Sequence, residues 1–241
     1  MTRPAHLAAG TAALLLLTGC AATATQAQTR PDSAPQAGTA AAALAELPVK
    51  GRAPKTGYNR VGDFGPAWSD NTSAPGGHDG CDTRDQVLRR DLTNVRFKGT
   101  PHCTVASGTL HDPYTGHTIA FVRGPQSTRV QVDHIAALMD VWQTGAQQLT
   151  QDQREALAND PLELLAVDGP TNEAKGDGDA ATWLPPAKSF RCTYAARQIA
   201  VKAKYRLWVT PAEKDALRQV LATCPGQPLP TESSAGVAFA R

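Results

Sequence analysis

The sequence predicts an α+β domain. Three observations carry this. Apolar segments of strand length, Thr118 to Val122, Thr128 to Asp133 and Leu164 to Val167, are separated by turn-forming residues such as Asp112-Pro113-Tyr114-Thr115-Gly116 and Gly124-Pro125. Longer segments carry apolar residues at helical spacing, most clearly Cys192, Ala196, Ile199, Ala203 and Leu207. In the middle of the chain the order is strand, long insert, strand, short helix, which defines a ββα unit.

The elements follow in order. Residues 1–19 read as a signal peptide, because Arg3 is the one charged residue there and the Leu14 to Leu17 run is too short to span a bilayer. Leu17-Thr18-Gly19-Cys20 resembles a bacterial lipobox, so Cys20 is expected to carry lipid and open the mature chain. Residues 20–50 are rich in Ala, Thr, Gln and Pro and read as a flexible tether. The folded domain is expected over 51–226, with a polar, disordered tail over 227–241.

Within the domain, Phe64-Gly65-Pro66-Ala67-Trp68 reads as an ordered loop with an aromatic anchor, and Thr83 to Leu92 as a helix exposing Arg84, Arg89 and Arg90. Ile135 to Gln147 reads as helical. Thr150-x-x-Gln153 is a capping box opening the next helix. Asn172 falls in the first turn of the short helix of the ββα unit. A long helix covers Ser189 to Leu207, and Thr210-Pro211-Ala212-Glu213 combines a capping box with Pro at the first helical position.

With Cys20 lipidated, Cys81, Cys103, Cys192 and Cys224 remain, an even number in an exported chain, which implies two disulfides. Of three pairings, the favoured one joins sequence neighbours, Cys81–Cys103 and Cys192–Cys224. Without a C-x-x-C pair, a structural zinc site is disfavoured. A formal charge of +2 and a pI near 8.3 identify no partner class. Neither a Ser or Cys nucleophile with a partner base nor a paired-carboxylate signature stands out. Asp177 and Asp179 lack EF-hand spacing.

Asp133-His134 at the end of the first strand, with Asn172 on the helix, can serve phosphodiester hydrolysis. Histidine suits activation of a water near neutral pH. A hard cation held by Asp and Asn oxygens suits the charge that develops on phosphate. Neighbours on a strand point to opposite faces, so the strand must end or bend for Asp133 and His134 to share one site.

The segments VDHIAAL, VWQTGAQQLTQDQREALANDPLELLAV, DGPTNEAKGD, ATWLPP and CTYAARQIAVKAKYRL resemble secreted bacterial HNH endonuclease-family proteins, related to the nuclease domain at the C-terminus of some modification-dependent restriction enzymes. GCDTRDQVLRRDL and GTLHDPYTGHTIAF resemble the N-terminal part of that family, so the resemblance covers about Tyr58 to Cys224. It implies a ββα-metal (HNH) core, with His134 as general base, Asp133 and Asn172 as metal ligands and Lys175 on phosphate. The middle letter of the motif departs: Glu163 stands where the family often has Asn, and Asn159 is the other candidate to orient the histidine loop. Glu163 is expected either to add an anionic ligand or to face solvent.

Basic residues from Lys188 to Arg206 have no acidic residue among them. Projected on a helix, Arg191, Lys202 and Arg206 share one flank and Arg197 and Lys204 the other; with Arg84 they read as a phosphate-binding rim of low sequence specificity. Together these observations predict an exported, lipid-anchored endonuclease acting on DNA or RNA. It would use Mg²⁺, or Mn²⁺ or Ca²⁺, with Zn²⁺ less suited, touch the membrane only through its lipid and need no protein partner. The rival reading is a non-catalytic surface lipoprotein that keeps the fold as a binding module.

Overall fold

The computed structural model describes residues 1–2, 36–100 and 102–231; the expected signal peptide and lipidated Cys20 lie outside the described residues. The folded unit belongs to Ala34–Arg241. It contains α1 (Ala40–Glu46), α2 (Arg60–Phe64), α3 (Thr83–Asp91), β1 (Leu92–Phe97), β2 (Val105–His111), β3 (Thr118–Val122), β4 (Val130–His134), α4 (Leu138–Gln143), α5 (Gln151–Ala158), β5 (Leu164–Asp168), α6 (Gly169–Lys175), α7 (Arg191–Lys204) and α8 (Pro211–Ala222). The α+β expectation holds, with both favoured disulfides formed, Cys81–Cys103 and Cys192–Cys224. Among the described residues, no helix is long and apolar enough to cross a membrane.

Strands β1, β2 and β3 form one antiparallel sheet in that order. Strands β4 and β5 form a separate antiparallel pair, with His134 opposite Leu164 and Asp133 opposite Leu165. Helix α6 follows β5 directly and packs on both strands, completing the ββα unit. Its start is locally encoded. The Asp168 carboxylate accepts from the Thr171 amide at 2.9 Å and from its hydroxyl at 2.6 Å, and Pro170 stands in the first turn. Gly169 lies against the Thr128 carbonyl, where a Cβ would come within 2.0 Å, so only glycine lets the helix leave the strand there.

Helix α3 lays Val87 and Leu88 on the sheets, in a core with Leu110, Phe121, Val130, Val132 and Leu164. Phe64, Val141, Trp142, Leu157 and Leu207 form a second core. Ala196 and Ile199 of α7 meet Leu217 and Leu221 of α8 in a third, stapled by Cys192–Cys224.

Three expectations change. The stretch read as a tether contributes α1, which buries Ala40, Leu44 and Leu47 against α7 and α8. Its Thr39 hydroxyl caps the helix by accepting from the Ala42 amide. Burying two leucines is worth roughly 3–6 kcal/mol before entropy, enough to hold an Ala-rich segment that is marginal alone. At the other end, Leu229 packs on the same core and Pro228 bridges to Thr39, so the fold extends past 226. The helix expected over 135–147 is only α4, ended at Thr144 before Gly145, whose φ of 135° is left-handed; a 3₁₀ turn over Ala146–Gln148 follows.

Candidate active site around His134

Strand β4 stays paired through His134, so its alternation is intact and the Asp133 and His134 side chains part to opposite faces. Each meets a different environment.

On the α6 face, Asp133 is buried against Tyr114, whose ring packs on Tyr194 and Trp183. Its Oδ1 accepts from the Lys175 ammonium at 2.8 Å, and the Tyr114 hydroxyl donates to Oδ2. Lys175 also donates to the His134 backbone carbonyl at 2.6 Å. The Asn172 amide donates to the Gln131 side chain at 2.9 Å. Lys175 is therefore not a phosphate contact here: its side chain is 1% exposed and neutralises Asp133. Burial and the nearby Asp133 carboxylate push the Tyr114 hydroxyl well above its ordinary value, so it stays a donor.

Glu163 fits neither sequence expectation. It is fully buried, away from solvent, and its Oε2 accepts from the Ala136 amide at 3.1 Å, bracing the chain just after His134. Oε1 has no hydrogen-bond partner among the described residues. Burial raises its pKa well above the carboxylate range, favouring the neutral acid.

A divalent cation of the Mg²⁺ class needs hard oxygens converging on one point. Asp133 and Asn172 carry such atoms. Both Asp133 oxygens, however, already meet donors, and the Asn172 amide is turned to Gln131. The residues as arranged do not fit an ion, because the Lys175 ammonium holds the cation position beside Asp133. Elsewhere among the described residues, Asp140, Asp179 and Glu213 cluster closely enough to ligate a metal, but Lys202 and Arg52 already neutralise them.

On the opposite face, the His134 Nε2 lies 2.9 Å from the Ala158 carbonyl. A carbonyl only accepts, so Nε2 carries the hydrogen and Nδ1 keeps a lone pair. Burial, with the positive charge of Arg60 adding to it, lowers the His134 pKa to about 3 and keeps the ring neutral. The ring stacks on Trp68, with centroids 5.7 Å apart. It borders a cavity of about 10 Å³ shared with Arg60, Phe64, Trp68, Ala158 and Asn159. That volume holds about one water. Asn159 donates its amide to the Glu155 carbonyl at 2.9 Å, while its buried Oδ1 has no partner among the described residues. His134 and Asn159 thus border one water-sized space, with Arg60 at its edge.

The basic rim changes most at Lys202. This side chain is 0% exposed and pairs with Asp140 at 2.9 Å and Glu213 at 2.6 Å. It is a core cation, because carboxylates from α4 and α8 meet it on what looked like a helix flank. Arg197 is buried against backbone carbonyls, and Lys204 pairs with Asp160 at 2.6 Å. Arg84 lies over the Phe121 ring. Arg191 donates to the Pro185 carbonyl at 2.8 Å. Arg206 is exposed at a positive φ of 55°, just past α7.

Sequence reasoning passed over Tyr114, Arg60 and Trp68. Tyr114 was legible only as a turn residue and Trp68 only as an anchor. For these two the signal lay in an aromatic ring inside a Gly- and Pro-containing loop, since an aromatic there packs onto something.

The fold and site define an α+β protein with a ββα unit whose strand-end histidine is held as a neutral, singly oriented imidazole. The chain belongs to the family described as GmrSD restriction endonucleases, C-terminal domain, whose model matches residues 82–220. A fungal relative from Arthroderma benhamiae, named "Uncharacterized secreted protein", is 39% identical over 196 residues, covering 80% of this chain and 89% of its own length. The resemblance drawn from the sequence is therefore not confined to bacteria. No solved structure matches the chain.

Proposed function

We propose that the chain is an exported endonuclease that hydrolyses phosphodiester bonds of DNA or RNA, with His134 as general base. Membership of a restriction-endonuclease domain family supports nuclease chemistry, and the relative's name supports export. The observation that carries the catalytic assignment is the His134 Nε2 contact with the Ala158 carbonyl. It fixes the tautomer, so Nδ1 can take a proton from a water in the adjoining cavity. The Asn159 Oδ1 orients that water by accepting its second hydrogen. Arg60, exposed at the cavity edge, supplies positive charge for the phosphate. Arg84, Arg191 and Arg206 contribute sequence-independent attraction.

Asp133, Lys175, Tyr114 and Glu163 form the buried frame under the strand end. A divalent cation, Mg²⁺ before Mn²⁺ or Ca²⁺, could use Asp133 and Asn172 only if Lys175 left Asp133. The lipid at Cys20 is part of the proposal and is tested by mass spectrometry of the membrane fraction; an unmodified N-terminus removes it.

The test is digestion of plasmid DNA and of single-stranded RNA by the purified mature chain, with Mg²⁺ and with EDTA. Cleavage of either substrate supports the proposal, and the EDTA arm reads the metal. No cleavage with any of several metals favours the rival binding module.

A further inference from the structure

The irregular turn joining α5 to β5 carries the proposed machinery. Ala158 supplies the carbonyl on His134, Asn159 borders the cavity, and Glu163 braces Ala136. Within it, the Asp160 carboxylate caps the Leu162 amide at 2.9 Å. The carbonyls of Pro161 and Leu162, and that of Leu164 at the start of β5, are held from outside by two arginines.

Arg197 of α7 donates through Nη2 to the carbonyls of Pro161 at 3.0 Å, Leu162 at 2.7 Å and Leu164 at 2.9 Å, and through Nε to Leu162 at 3.1 Å. Arg90 of α3 donates to Pro161 at 2.8 Å and Leu164 at 2.7 Å. The Arg197 side chain is buried, and among the described residues its hydrogen bonds go to carbonyls alone. Burying a guanidinium without a carboxylate on it is costly. A core that needed only cohesion would be served as well by Met or Leu at this position. A planar fork of donors can instead hold several carbonyls in one fixed arrangement, which a lysine cannot. Burial lowers the Arg197 pKa only to about 10, so the charge persists at neutral pH.

We propose that Arg197, with Arg90 beside it, is a positioning residue for His134: it locks the 159–163 turn so that the Ala158 carbonyl fixes the imidazole tautomer and Asn159 stays on the cavity. This rests on the reading of His134 as the general base. Arg197 touches neither substrate nor the reacting atoms. It acts through the backbone it grips.

The test uses the full mature chain as Arg197→Lys, with Arg90→Lys as a second variant should the first not fold. Leu217→Ala is the control for stability alone, since Leu217 is buried in the core between α7 and α8. Nitrogen-15 spectra read the His134 ring, assigned by the signal lost in His134→Gln, and nuclease kinetics follow. In Arg197→Lys the His134 nitrogens should move from a single Nε2–H tautomer towards a mixture. The kcat should fall about tenfold or more with KM within about twofold, as for loss of alignment. Leu217→Ala should lower stability and leave the ring nitrogens unmoved. A folded Arg197→Lys protein with wild-type ring nitrogens would overturn the proposal, as would one whose ring nitrogens shift only as far as in Leu217→Ala. The nitrogen measurement decides this even if the wild type cuts no nucleic acid, so it is separable from the nuclease proposal.

Discussion

Replacing Lys202 by Met keeps most of the side-chain volume and removes one buried charge. In the native chain that ammonium lies 2.9 Å from Asp140 and 2.6 Å from Glu213, and none of the three side chains is more than 2% exposed. Breaking such a group strands carboxylates in low dielectric, which costs about 3–5 kcal/mol. Arg52, on Asp140 at 2.9 Å, limits the loss on that side, so Glu213 is the group left without a cation. Burial already raises Glu213 to about 7 despite Lys202, and without Lys202 it should rise further. Urea unfolding followed by tryptophan fluorescence should show a lower midpoint with an unchanged slope. The thermal midpoint should fall by roughly 6–20 °C, at about 2–4 °C per kcal/mol for a domain of this size. Adding Glu213→Gln should recover part of the loss, because the double variant no longer strands that charge. If Lys202→Met instead kept wild-type stability and weakened binding to DNA, Lys202 would be a phosphate contact and the buried-network account would be wrong.

Three further outcomes are expected. Glu163, held neutral by burial, contributes stability below its unfolded pKa of about 4.5 that is lost as pH rises through its raised folded value. Glu163→Gln should therefore match wild type at pH 4 and be the more stable at pH 8; a Gln variant weaker at pH 8 would show that the carboxylate is needed charged. His134, lowered to about 3, stays neutral down to acid pH, so kcat/KM should show no acid limb from this residue between pH 5 and 8, whereas a limb near 6.5 that vanishes with His134 would contradict its burial. Cys192→Ser with Cys224→Ser opens a loop of 32 residues and should cost about 3–4 kcal/mol in urea unfolding on the chain-entropy model; a loss below 1 kcal/mol would mean that the core between α7 and α8 holds without the staple.

Much of the fold was legible where its cause is local. Thr150 and Gln153 cap α5 reciprocally, as do Thr210 and Glu213 for α8, and each pair is written in four consecutive residues. Strand β3 shows its alternation in Thr118 to Val122. By contrast, β1 and β2 read Leu-Thr-Asn-Val-Arg-Phe and Val-Ala-Ser-Gly-Thr-Leu-His, with few apolar residues, because much of their surface is exposed or half-exposed. The docking of helix α1 onto the core was missed because an alanine run has no polar and apolar faces to compare. Its partners, α7 and α8, lie more than 140 residues further on.

The candidate site divides in the same way. His134 and Asn159 could be named from motif position, and the structure sets both on one cavity. The parting of Asp133 from His134 was already implied by strand alternation, and β4 obeys it. The fate of the cations was not legible. A helical projection assigns Lys202 to a flank but cannot know that Asp140 and Glu213 arrive there, nor that Lys175 turns inward to Asp133. Glu163 raised the same difficulty, since a carboxylate that is buried and neutral looks in sequence like one that is exposed and charged.

The central claim is that His134 takes the proton from the attacking water. The most direct measurement compares plasmid cleavage by wild type and His134→Ala at equal folded concentration, with Mg²⁺ and with EDTA, fold being checked by circular dichroism. The account predicts that the wild type cuts, and that the alanine variant loses at least about a hundredfold in rate while its DNA affinity stays within about twofold. Undiminished cutting by a folded His134→Ala protein would contradict it.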